Sequence, residues 1–111
     1  MTRRAKTEDL IGEIREILGL SQAEIAALFG VFQPTIASWR ARGIPESRLA
    51  SVRRLHDLAL QLCKQLKPGR IPEIVRTRDA WLGNRSVIEV IRAEGVAPIY
   101  GYLARLFEYN P

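Results

Sequence analysis

Gln33, Thr35, Ser38 and Arg40 fall within eight residues of one another, with Arg42 just beyond, and they carry the donors and acceptors that read nucleic acid. Amide and hydroxyl side chains can hydrogen-bond to base edges, and guanidinium groups pair with phosphate oxygens. Arg40 and Arg42 are the candidate phosphate contacts, and Arg3, Arg4 and Lys6 make a second basic set in an N-terminal arm. Other chemistry is poorly provided for. His56 and Cys63 share one face of a predicted helix but lie about 10 Å apart along it, too far for a catalytic pair. A metal site needs further ligands, and the chain has no other His or Cys. With no paired-carboxylate site, glycine-rich phosphate loop or nucleophile motif, the sequence predicts no enzyme, no cofactor and no metal.

The elements that position those polar residues are legible from caps and periodicity. Ser21 and Glu24 have the spacing of a capping box, in which each side chain satisfies a backbone N–H at a helix start. Ile25 and Leu28 give that helix an apolar stripe, and Gly30 stands where a left-handed C-terminal cap belongs. Val31 plugs the angle to a second helix. Pro34 is tolerated in its first turn because the missing N–H has no partner there. Ile36 and Trp39 point inward from it, leaving Thr35, Ser38 and Arg40 facing out. Two short helices meeting at a tight turn make a helix-turn-helix. Before it, Leu10, Ile11, Ile14, Ile17 and Leu18 predict a helix ending at Gly19; after it, Pro45 opens a helix reaching about Lys67.

The stretch from Ser21 to Arg40, with Gly30-Val31 and Gln33-Pro34-Thr35-Ile36 followed by Trp39, resembles the Cro/repressor-like (Xre-type) family. The resemblance implies that Gln33 and Thr35 read bases or backbone at the helix N-terminus and that Gln22 contacts a phosphate. Phe32 departs from the pattern, standing where the family usually has a capping serine. Loss of that cap costs about 1 kcal/mol of helix stability, and it leaves an apolar ring near the DNA face.

A length of 111 residues suits one compact domain or two very small ones, and dimerisation would add to a small core. No segment reads as a signal peptide or approaches the ~20 apolar residues that span a bilayer, and the lone cysteine suits a reducing compartment. A cytoplasmic protein is expected. The net charge is +5. Residues 1–67 hold eleven Lys and Arg against seven Asp and Glu, whereas residues 68–111 hold six against five. The excess lies with the helix-turn-helix half, where phosphate contacts require it.

Pro68-Gly69-Arg70 interrupts the long helix and divides residues 1–67, a DNA-binding domain, from residues 68–111, a small helical domain. Beyond the break, Pro72 opens a helix reaching Gly83-Asn84, Ser86 and Glu89 form a second capping box, and Pro98 opens the last helix. The expected fold is all-α, with no strand: a Cro/repressor-like helix-turn-helix unit joined by a long helix to that small domain. Tyr100, Tyr102, Phe107 and Tyr109 cannot all face one small core, and rings with a polar tip suit a half-wet protein interface.

Ala80-Trp81-Leu82-Gly83-Asn84-Arg85-Ser86-Val87-Ile88-Glu89-Val90-Ile91, then Glu94-Gly95, Ile99 and Leu103, is similar to the C-terminal domain of Xre/MbcA/ParS-type antitoxins. Val87 replaces the proline usual after the serine. The resemblance implies a non-catalytic antitoxin whose partner is a RES-domain toxin, NAD-consuming or ADP-ribosylating, covered at its active-site cleft. Carried onto this chain, the toxin-binding residues are Trp81, Leu82, Tyr100, Leu103, Arg105, Phe107, Glu108, Tyr109 and Asn110. A homodimer would place two recognition helices on a palindromic operator and repress its own operon. The competing expectation is a stand-alone, phage-like repressor whose C-terminal helices only dimerise.

Overall fold

Side-chain caps start three of the described helices, and glycines stop four of them. The computed structural model describes residues 9–108, with backbone alone for residues 107 and 108; Arg3, Arg4, Lys6, Tyr109 and Asn110 lie outside the described residues. Seven α-helices follow one another among those described: α1 (Leu10–Leu18), α2 (Gln22–Phe29), α3 (Gln33–Arg42), α4 (Glu46–Gln65), α5 (Ile71–Arg76), α6 (Val87–Glu94) and α7 (Ala97–Glu108). Short 3-10 turns occupy Pro68–Arg70 and Ala80–Leu82, and an Asp79–Arg85 antiparallel bridge is the sole β pairing among the described residues. The fold is all-α.

Both capping boxes form. Ser21 Oγ accepts from Glu24 N at 3.1 Å and Glu24 returns to Ser21 N at 2.8 Å; Ser86 and Glu89 repeat those distances at the start of α6. Gly19 and Gly30 end α1 and α2 with φ +66°, the left-handed region open to a residue without Cβ. Helix α4 ends at Gln65, two residues before the expected limit. Leu66 and Lys67 turn extended ahead of Pro68, whose ring disfavours helical backbone in the preceding residue.

One expected helix divides in two. Between Pro72 and Gly83 the α-helix stops at Arg76, and Asp79 then turns its side chain back to accept from Trp81 N at 2.8 Å. A short acidic side chain that bonds its own backbone competes with helix continuation. Asp79 also organises the loop beyond. Its carbonyl accepts from Leu82 N and Asn84 N, and Asn84 takes φ +60°.

A single apolar core runs through all seven helices. Ile11, Ile14 and Leu18 of α1, Val52, Leu55, Leu58 and Leu62 of α4, and Val75, Val90 and Ile99 of the later helices are all buried within it. Helix α1 packs most extensively on α4, while α5 packs on α1 and α6 on α2. The Pro68–Arg70 break therefore interrupts the helix but not the core. Arg76 adds a polar tie across it. Its guanidinium donates to the Gly19 carbonyl at 2.7 Å and to Glu24 Oε1 at 2.9 Å, gripping the corner between α1 and α2. Among the described residues no helix is long and apolar enough to cross a membrane.

Gly19 meets a second constraint besides its φ. A Cβ there would lie 2.8 Å from Pro72 Cβ and Cγ, whereas one at Gly30 would meet nothing within 4 Å. Both Gly→Ala variants incur the left-handed backbone penalty of about 1–2 kcal/mol. Gly19→Ala is expected to lose clearly more stability than Gly30→Ala, measured as urea unfolding midpoints of the two variants.

Candidate nucleic-acid interface

Helix α3 is held by its inner face and bare on its outer one. Ile36 and Trp39 are buried, at 0% and 6% exposure. Phe29 meets the Trp39 ring edge-on with centroids 5.9 Å apart, and the Arg48 guanidinium lies 5.9 Å from that ring while donating to the Phe29 carbonyl at 3.0 Å. A quadrupolar ring favours both an edge-on neighbour and a cation. These contacts fix the roll of α3 about its axis. Pro34, Ala37, Ser38 and Ala41, at the i, i+3, i+4, i+7 spacing of one helical stripe, are then all exposed. None of the four has a side chain longer than serine or proline.

Local charge suits an anionic partner. No acidic residue occurs between Glu24 and Glu46, and Arg40 and Arg42 occupy the last turn of α3. Phe32 precedes α3 in an extended conformation, makes no side-chain cap bond and is 83% exposed.

The sequence-predicted reading residues fall into different environments. Gln33, Ser38 and Arg42 are exposed on α3, and Gln22, the first residue of α2, is half-buried. Thr35, expected to face outward, is half-buried instead, because it lies next to Ile36 on the flank facing the core. Arg40 is not held toward solvent alone. Its Nη2 and Nε donate to the two Asp9 carboxylate oxygens at 3.2 and 3.3 Å, and Asp9 Oδ1 also caps α1 by accepting from Gly12 N. Gly12 makes room for this pair, since a Cβ there would strike the Asp9 carboxylate.

In the C-terminal half the structure sorts the candidate partner residues into core and surface. Leu82 and Leu103 are 7% and 4% exposed, so their side chains serve the core and offer nothing to a partner. An apolar side chain in a small helical protein gains more from that core than from a wet surface. Trp81 and Tyr100 are exposed at 55% and 40%. Arg105 lies across the Trp81 ring at 5.1 Å, which makes a ring-and-cation surface beside the Asp79 loop. Phe107 and Glu108 continue α7 in backbone only.

Asp79 is the residue that apolar periodicity does not reveal. Besides Trp81 N, it accepts from the Tyr102 hydroxyl at 2.7 Å, and so ties α7 to the loop that displays Trp81. An Asp two residues before a Trp after a helix stop is the available signal, an Asx turn. His56 and Cys63 stay apart: His56 Nε2 lies 2.6 Å from Glu13 Oε1, and Cys63 packs half-buried against the core. Among the described residues no group of three or more His, Cys, Asp or Glu is placed to hold a metal ion.

No protein family, curated protein or solved structure matches this chain.

The backbone N–H of Ser21, followed by the Arg76 guanidinium, holds the Glu24 carboxyl below its usual range, and the N–H of Ser86 followed by Arg78 does so for Glu89. Burial, then the nearby Asp57 carboxylate, raises the Tyr100 phenol. Burial and the hydrogen bond to Asp79 push Tyr102 from the ordinary value of 10 up to about 12. A phenol whose pKa is raised on folding contributes stability that is complete below the unfolded value and lost as pH climbs through the folded one. The Tyr102 contribution is thus present below pH 10 and disappears between pH 10 and 12. Tyr102→Phe should lower the denaturation midpoint below pH 10 and narrow its gap to the parent chain across that window, as read from urea titrations at both ends.

Proposed function

We propose that this chain is a repressor that binds double-stranded DNA through α2 and α3, and that it doubles as the antitoxin of a RES-type toxin that consumes NAD or transfers ADP-ribose. The observation that carries the DNA half is the outer stripe of α3, exposed, short-chained, flanked by Gln33 and Arg42 and set in a stretch, residues 25–45, that holds no acidic residue. Such a helix can sit deep in a major groove while arginines neutralise phosphates at its edge. Gln33 and Ser38 are the hydrogen-bonding readers, and Gln22 is a phosphate contact from the start of α2.

The working form is a homodimer on a palindromic operator, with half-sites about 34 Å apart, one turn of DNA. The antitoxin half is supported by the sequence resemblance and by the exposed Trp81, Arg105 and Tyr100. Because Leu82 and Leu103 are core residues, contact with the toxin runs through those exposed groups and the end of α7. The setting is cytoplasmic, and the chain itself does no chemistry.

A second reading is favoured by the shared core. Helices α5 and α6 pack directly on α1 and α2, and Arg76 grips their corner. The C-terminal half would then support the helix-turn-helix and its dimer, as in a stand-alone repressor with no toxin.

Co-expression with the adjacent reading frame separates the two. A neighbour that is toxic alone, harmless together with this chain and co-purified with it supports the antitoxin. Trp81→Glu and Arg105→Glu should then cost rescue while leaving DNA binding intact. Surface substitutions are preferred to truncation because Ile99 and Leu103 of α7 belong to the core. A harmless neighbour that does not co-purify leaves the repressor.

For DNA, Gln33→Ala or Ser38→Ala should each weaken specific binding by about 1–3 kcal/mol, the usual worth of one base-reading pair. Asp9→Asn retains a capping side chain for α1 but releases Arg40. An exposed ion pair is worth about 0–1 kcal/mol, so Arg40 is exchanged easily for a phosphate. Affinity in Asp9→Asn is expected to rise by up to about fivefold at low salt, with a steeper salt dependence in a binding titration.

A further inference from the structure

We propose that Phe32 and the α3 stripe read thymine methyl groups, so that the preferred half-site is recognised by apolar contact as much as by hydrogen bonds. This rests on the DNA-binding reading above and deepens it.

Among the described residues Phe32 is the most exposed of the large apolar side chains, at 83%, and it stands at the leading end of α3. Leaving a phenylalanine in water forgoes its burial, and the same position with serine, asparagine or aspartate would cap α3 instead. Neither stabilising role is filled, because the Phe32 side chain makes no cap bond and lies outside the core. A capping serine is present at the corresponding position of α2 and again before α6. Helices α4 and α5 also start without a side-chain cap bond, and what sets α3 apart is the exposed aromatic ring at that position.

The stripe behind Phe32 has the same chemistry. Of Pro34, Ala37, Ser38 and Ala41, only Ser38 offers a hydrogen-bonding group. Its short side chains let the backbone of α3 approach the groove floor, where longer polar side chains would hold it off. Of the groups that base pairs present in the major groove, the C5-methyl of thymine is the apolar one. An exposed ring and alanine methyls aimed at that floor match thymine, and they leave guanine O6 and N7 without a donor from the stripe beyond Ser38. Arg42 in the last turn, and Arg40 once released from Asp9, supply the phosphate contacts that keep the apolar face in register.

The test uses the full chain and the duplex it selects most strongly from a random double-stranded pool. In a second copy of that duplex, uracil replaces thymine, which keeps the pairing and O4 and removes only the methyl. The expected result is an enriched site with thymine in each half, and a loss of about three- to fivefold in affinity for each contacted methyl removed. Phe32→Ser is expected to bind the thymine duplex more weakly and to lose most of the discrimination against uracil. Serine is a better cap than phenylalanine, so the variant should fold at least as well, checked by its helical circular dichroism. Ala37→Ser gives an independent second variant within the stripe, with partial loss of the same discrimination.

Equal affinity of the parent chain for the thymine and uracil duplexes overturns the proposal while leaving DNA binding intact. So does full discrimination retained in Phe32→Ser. If Phe32→Ser binds both duplexes like the parent but no longer holds a co-expressed protein partner, the ring serves that partner and the proposal is likewise overturned. Failure to enrich any duplex overturns the DNA-binding reading and this inference together.

Discussion

Burial in one shared apolar core is the constraint on which the elements depend. Six of the seven described helices have twelve residues or fewer, α5 having only six. Isolated helices shorter than ~12–15 residues are marginal in water. They persist here because each turns an apolar face into a common interior, and the twenty residues of α4 are the longest continuous contributor to it. Val52, Leu55, Leu58, Ala59 and Leu62 are all buried, a stripe wide enough to meet more than one neighbour. Helix α1 covers most of it, and α1 in turn carries α5. Helix α3 is placed by the same interior, through Ile36 and Trp39.

Polar contacts then refine what burial has assembled. The ion pairs are largely exposed, and each contributes little by itself. Their effect is directional. Arg76 satisfies the Gly19 carbonyl at the end of α1 and the Glu24 carboxylate at the start of α2, so one side chain from beyond the Pro68–Arg70 break fixes the angle at which α2 begins. Asp79 has a similar effect at the far end, joining α7 to the loop bearing Trp81. A partner pressing on Trp81 and Arg105 would thus act on a surface that shares its core with α2, giving a physical route between the two ends of the molecule.

On the proposed DNA-binding reading, stability and recognition pull in different directions on the outer face of α3. A capped α3 without an exposed ring would be more stable alone, yet the helix starts with an uncapped, exposed Phe32. Local rules broken at a surface that the core does not need are expected where a site is under functional demand. The Asp9–Arg40 pair is of the same kind: it satisfies the isolated chain and opposes an anionic ligand. Its modest strength makes it a contact that the phosphate of the proposed DNA partner could replace.

Local interactions were legible from the order of residues alone. The two capping boxes, the left-handed cap at Gly30 and the inward Ile36 and Trp39 each depend on neighbours within about one or two helical turns, and all of them formed. The all-α class and the short turn between α2 and α3 follow from these. Asp79 breaking the helix after Arg76 is also a local signal, masked because the apolar residues beyond it continue a helical pattern. Long-range pairing was decided by the tertiary structure. Arg40 meets Asp9 across 31 residues, Tyr102 meets Asp79 across 23 and Arg76 meets Glu24 across 52. Periodicity marks Leu82, Leu103, Tyr100 and Trp81 alike as apolar, and only the packing of α5 to α7 on α1, α2 and α4 assigned the leucines to the core and left the rings at the surface. A sequence states which side chains prefer burial, but which of them obtain it is settled by competition for one limited interior.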